Sequence, residues 1–324
     1  MLGAIIGDIV GSRWEFNPTN DYNFEWLSKE NSYTDDTICT IAVADALLHE
    51  RDYGEAIHDW CNRYPHPMGG YGRHFACWVH SKHPVPYNSY GNGAAMRVSP
   101  VAHWFEDESQ MLGAAASTAL PSHNHDEGIK GAQTVALAIF KAMEYNRHRY
   151  QDAPNHIDEI IKECVSFSGY EIDMPKSSVL NRFDETCQGT VPVALKIISM
   201  STCFEDAVRL AVSLGADADT LGAIVGSIAE AIWGIPWKIR REIEAYIPDE
   251  IQHIIKMFFH ARPASFKLLL DTTYAGNDFS NVSWDMLYDI DGKEVYEEEM
   301  KKVKKNIENK RKQMIERGKA RNNW

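Results

Sequence analysis

Apolar residues recur at three- and four-residue intervals through 38–48, 132–143, 157–165, 191–198, 207–214 and 221–233. That spacing puts them on one face of a 3.6-residue helix, and no convincing two-residue alternation of a half-buried strand appears before residue 260. The pattern predicts an all-α chain, a compact multi-helix domain over residues 1–262 in place of an alternating α/β fold. Gly3, Gly7 and Gly11 recur every four residues and Gly222 and Gly226 repeat the interval, so each set lines a helix face where backbones can approach closely. Past Arg262-Pro263 the pattern changes. Residues 264–291 are mixed, with turn signals at Gly276-Asn277-Asp278 and Asp291-Gly292, and 293–319 predict a highly charged helix with a thin seam of Met300, Val303, Ile307 and Met314. A solvated helix fits that seam better than a dimerising coiled coil, because Lys310 interrupts the heptad. Residues 263–324 therefore form a C-terminal extension.

Composition adds three limits. A chain of 324 residues with 44% hydrophobic content can bury a sizeable core. Its six cysteines lie far apart with no CxxC pair, which argues against a disulfide framework or a zinc site and fits a reducing cytoplasm. The apolar N-terminus has no basic flank and is interrupted by Asp8, so neither export nor a membrane anchor is expected. The net charge of −13 is uneven: residues 293–321 carry +5 and the remainder −18. Such an acidic body repels nucleic acid, whereas acidic clusters in a cleft suit hard divalent cations.

Two clusters have that character. Thr34-Asp35-Asp36-Thr37 stands before the helix predicted from residue 38, and Asp217-Ala218-Asp219-Thr220 before that from 221. Either alone reads equally well as a helix cap, since Thr and Asp satisfy free amides and the helix dipole. Together they exceed capping, because each helix start offers two carboxylates and at least one hydroxyl where one oxygen suffices. If the clusters converge, four carboxylates share a small space, and cations relieve their repulsion. Oxygen donors without His or Cys point to Mg²⁺, Mn²⁺ or Ca²⁺. Convergence itself is not readable from spacing. Trp14 and Phe16 flank Glu15, and Tyr87 and Tyr90 precede Gly91-Asn92-Gly93; these rings could stack on a ligand, but core packing is the better reading for each. Cys187-Gln188-Gly189-Thr190 before Val191-Pro192 reads as a cap followed by a first-turn proline.

Gly7-Asp8-Ile9-Val10-Gly11-Ser12-Arg13-Trp14-Glu15, Thr34-Asp35-Asp36-Thr37, Gly91-Asn92-Gly93-Ala94-Ala95-Met96-Arg97, Ser122-His123 and Gly215-Ala216-Asp217-Ala218-Asp219-Thr220 together resemble the ADP-ribosylglycohydrolase family. The motifs occur in the family's order over residues 1–262, and each short motif alone is weak. The resemblance implies an orthogonally packed all-α fold with two Mg²⁺ (or Mn²⁺) ions at the bottom of an ADP-ribose cleft. Thr34, Asp35, Asp36, Asp217, Asp219 and Thr220 match its metal ligands. Glu15 matches a loop glutamate that positions or activates water, with Asp35 or Asp36 as the fallback base. Gly91, Asn92, Gly93 and Ala94 match a loop around the phosphates and ribose, and His123 a contact to the same ligand; the region of Cys187 to Thr190 also faces the cleft in the family, a reading as good as the cap. Gly215-Ala216 and Ser122-His123 depart tolerably from the family's usual Gly-Gly and Thr-His.

The implied activity is removal of ADP-ribose from a modified protein or small-molecule acceptor. Alternatives are another Mg²⁺-dependent nucleotide phosphohydrolase and a non-catalytic ADP-ribose binder. The acceptor itself depends on loops at the cleft mouth.

Overall fold

A computed structural model describes residues 1–147 and 156–262. The helices follow in the order α1 (Leu2–Gly11), α2 (Asp35–Leu48), α3 (Tyr53–Arg63), α4 (Arg73–Val79), α5 (Gly93–Met96), α6 (Ser99–Ala102), α7 (Glu108–Ala119), α8 (Asp126–Arg147), α9 (Ile157–Ser168), α10 (Cys187–Met200), α11 (Phe204–Val212), α12 (Ala218–Trp233), α13 (Trp237–Ile243) and α14 (Asp249–Ala261). Among the described residues there is no strand; Gly91 and Thr186 form a lone antiparallel bridge. The all-α expectation holds. The extension at 263–324, with its charged helix, lies outside the described residues.

Each of the six segments predicted from periodicity falls on a helix (α2 and α8 to α12), although α11 stops at Val212, before Leu214. The stripes Ala56, Ile57, Trp60, Cys61 on α3 and Ile251, Ile254, Ile255, Phe258 on α14 are buried in the same way. One local expectation is corrected. Thr186 caps α10, its hydroxyl accepting from the Gly189 N–H at 3.0 Å, so Pro192 lies inside the helix and not in its first turn.

At the centre, α1 is buried along its whole length and α12 from Ala218 to Ala231. They run antiparallel: Gly3 faces Gly226, Gly7 faces Gly222 and Gly11 faces Ala218. A methyl group on Gly7 would overlap the Gly222 carbonyl, so close backbone approach requires glycine here. No described helix is long and apolar enough to cross a membrane, and none of the six cysteines forms a disulfide.

Candidate active site

The antiparallel register carries the C-terminal end of α1 to the N-terminal end of α12. α2 enters the same corner. Asp8, in the second half of α1, accepts through Oδ2 from the Thr34 N–H (3.1 Å), the Thr37 N–H (3.0 Å) and the Thr37 hydroxyl. A helix start leaves amides without intrahelical partners, and here a carboxylate from a neighbouring helix fixes where α2 begins.

Thr34 does cap α2, its hydroxyl accepting from the Asp36 N–H at 3.2 Å. Asp217 holds the equivalent position on α12 and makes no side-chain capping bond. Its Oδ2 accepts from Asn92 Nδ2 at 2.8 Å, and the same amide donates to Thr190 Oγ1 at 3.1 Å. The two acidic motifs meet directly: the Thr220 hydroxyl donates to Asp36 Oδ2 at 3.1 Å, across 184 residues of sequence. Capping accounts for Thr34 and leaves the carboxylate of Asp217 unexplained.

Glu15 follows the short 3-10 turn Ser12–Trp14 and is half-buried. It offers an oxygen that lies, with one each from Asp217 and Asp219, inside a group whose members are all within 4.8 Å of one another. Asp8 Oδ1, Asp36 Oδ1 and Asp219 Oδ1 are buried with no hydrogen-bond partner. Taking carboxylates out of water without compensation disfavours their charged form. Burial, then the nearby Asp219 and Asp8, pushes Glu15 up to about 8. Burial pushes Asp217 up to about 7, and Asp8 to about 6 against the opposing hydrogen bonds of Thr37 and Thr34. Asp36 and Asp219 stand well above the usual carboxylate range, from burial first, then from Asp219 and Asp8 for Asp36 and from Asp217 and Asp8 for Asp219. Half-buried Asp35 is raised as well, by desolvation and then by the Cys39 thiol and Asp219. Unpartnered, hard oxygen donors with excess negative charge are what divalent cations need, so the donor set fits them.

The remaining candidates surround this cluster. Gly91 to Ala94 lead into and begin α5; Asn92 is buried with its amide turned to Asp217. His123 is buried between α7 and α8, close to Tyr87 and Phe75. A cavity of about 550 Å³ opens against Asp217 and is lined by Tyr90, Arg182, Asp184, Gln188 and Thr190 among others. Core packing fails as the reading for two aromatics. Phe16 is 72% exposed and stacks on the exposed Phe183, and Tyr90 is 48% exposed against His125. Sequence reasoning gave no role in the site to Asp8, and left the region of Thr190 open between a cap and a cleft-facing segment. The signal for Asp8 was there: a lone carboxylate in an otherwise apolar ten-residue helix needs a buried partner.

The chain is 24% identical to bovine ADP-ribosylhydrolase ARH3, the similarity covering 78% of this chain and 89% of that protein. It is 23% identical to the ADP-ribosylarginine hydrolase Tri1 of Pseudomonas putida, covering 72% and 70% respectively. A solved structure described as an ADP-ribosylglycohydrolase-related protein complex shares the fold, with a TM-score of 0.60 at 23% identity over 80% of this chain and 95% of that one. The ADP-ribosylglycohydrolase family profile matches residues 1–266, and the chain belongs to that family.

Proposed function

We propose that the protein hydrolyses the glycosidic bond between ADP-ribose and an acceptor, using two Mg²⁺ or Mn²⁺ ions held by Thr34, Asp35, Asp36, Asp217, Asp219 and Thr220. What supports this most is the convergence of two helix starts on unpartnered buried carboxylate oxygens beside a cavity large enough for a nucleotide-sized ligand. Bound there, divalent cations supply charge compensation and Lewis-acid polarisation of oxygen ligands.

Cleavage at the anomeric carbon builds positive charge on the ribose ring, which surrounding carboxylates stabilise. Glu15 is the general base: its carboxylate takes one proton from the attacking water while the water oxygen bonds to the anomeric carbon. The acceptor leaves with the electron pair of the old bond and takes a proton from solvent, and Glu15 gives the proton it took from water back to solvent. Asp35 or Asp36 is the fallback base. The loop at Gly91 and Gly93 receives the diphosphate, where side chains would obstruct it. The acceptor is a modified protein side chain or a small molecule, met at the mouth where Phe16 and Phe183 are exposed.

Position matters as much as charge for a base. Gly69 adopts φ +75°, and a methyl group on it would overlap Glu15 Oε2. Gly69→Ala is expected to displace the carboxylate and lower kcat about 100-fold, with KM little changed, as steady-state kinetics would register.

The reading is tested by incubating the protein with mono-ADP-ribosylated peptides and separating the products. Free ADP-ribose released with Mg²⁺ or Mn²⁺ and lost with EDTA supports it. Release of inorganic phosphate or AMP would favour a phosphohydrolase, and no product a binding protein.

A further inference from the structure

Arg97, the residue after α5, is fully buried and forms no ion pair among the described residues. Its Nη2 donates to the Thr118 carbonyl at 2.8 Å and to Ser122 Oγ at 3.0 Å, and Ser122 Oγ lies 2.7 Å from His123 Nδ1. These contacts constrain the protons. A guanidinium has donors and no acceptor, so the serine oxygen must accept from it. The hydroxyl proton finds an acceptor at hydrogen-bond distance when it points to His123 Nδ1, which in that arrangement carries a lone pair. The ring is neutral, because burial and the nearby Arg97 hold His123 well below the ordinary histidine range. With Nδ1 accepting from Ser122, the one N–H of the neutral ring is on Nε2.

That atom faces the glycine loop. A methyl group on Gly93 would sit 2.9 Å from Nε2 and one on Gly91 3.3 Å. Nε2 makes no hydrogen bond to a described residue.

We propose that Arg97 is a positioning residue which, through Ser122, holds His123 as the Nε2-protonated tautomer and so aims a neutral N–H donor into the loop kept clear by Gly91 and Gly93. The ligand for that donor rests on the proposed function, through the anionic diphosphate of ADP-ribose; the tautomer does not. A neutral donor at this point adds a hydrogen bond without a second mobile charge beside Arg97, and the serine is the link that a change of one atom removes.

The test is long-range ¹H–¹⁵N NMR of histidine-labelled protein together with ADP-ribose titration, on the unmodified chain, Ser122→Ala and Ser122→Thr. The unmodified protein and Ser122→Thr are expected to show an unprotonated Nδ1 and a protonated Nε2 at His123. Ser122→Ala is expected to show mixed tautomers and about tenfold weaker ADP-ribose binding, as loss of one positioned hydrogen bond implies. A protonated Nδ1 in the unmodified protein, or a Ser122→Ala protein with unchanged tautomer and affinity, overturns the proposal. If none of the three proteins binds ADP-ribose, the functional reading fails, and the NMR pattern alone decides the tautomer. Arg97→Met should reproduce the Ser122→Ala spectrum; should it not fold, the serine pair still decides.

Discussion

Asp219→Ala is expected to cut turnover of an ADP-ribosylated substrate at least about 100-fold and at the same time to make the cation-free protein more stable above pH 7. The two effects have opposite signs because one carboxylate serves both. Asp219 is buried with Oδ1 unpartnered, and its charge helps raise Glu15, Asp35 and Asp36. Removing it relieves that repulsion, and each unit of restored pKa is about 1.4 kcal/mol. The same change removes a cation ligand, so the thermal stabilisation by Mg²⁺ should largely vanish. Asp35→Ala is expected to lose activity in the same way while keeping the helical circular-dichroism spectrum. Near-normal turnover in either variant would sink the assignment of these residues.

The dependence of stability on pH should reverse when cations are added. In the cation-free protein, Asp8, Asp217 and Glu15 are raised to about 6, 7 and 8. An unfolded chain ionises such groups near pH 4. A carboxyl whose folded pKa lies above its unfolded value contributes stability that is whole below about pH 4 and is lost as pH rises through the folded pKa. The melting temperature without cations should therefore fall between pH 5 and 9, by roughly 10 °C if the loss is a few kcal/mol. With millimolar Mg²⁺ or Mn²⁺ the fall should shrink or invert, because ligation requires the ionised form. Differential scanning calorimetry across that range, with EDTA and with cation, measures both curves. A cation-free melting temperature that rises steadily from pH 5 to 9 would contradict the clustering of these acids.

Much of this was legible in the chain because local pattern and chemistry agreed. Thr34, Asp35 and Asp36, like Asp217, Asp219 and Thr220, stand before apolar stripes, and hydroxyl and carboxylate groups there mark a helix start whatever else they do. What spacing could not supply was partnership. The interval of Gly3, Gly7 and Gly11 announced a close backbone approach, but that Gly7 meets Gly222 in antiparallel register is a tertiary fact. It is this register that brings Glu15 to Asp219. Asp8 is quoted in the family motif, yet in the reading of the N-terminus it serves just to break an apolar run; its use as an acceptor for the start of α2 depends on a helix 26 residues further on. Phe16 and Tyr90 show the reverse error. Aromatic rings mostly fill interiors, but Tyr90 lines the cavity and Phe16 stacks on Phe183, whose neighbours Arg182 and Asp184 line it. Pro192 was misplaced because α10 begins at Cys187, with the cap supplied by Thr186.

The central claim joins the acidic cluster to ADP-ribose, and calorimetric titration tests that link most directly. Free ADP-ribose is titrated into protein loaded with Mg²⁺ or Mn²⁺, into EDTA-treated protein, and into Asp36→Ala protein with cation. Binding that is tight in the loaded protein and lost in the other two is the predicted result. An absence of binding to the cation-loaded protein, or equal binding in all three, would contradict it.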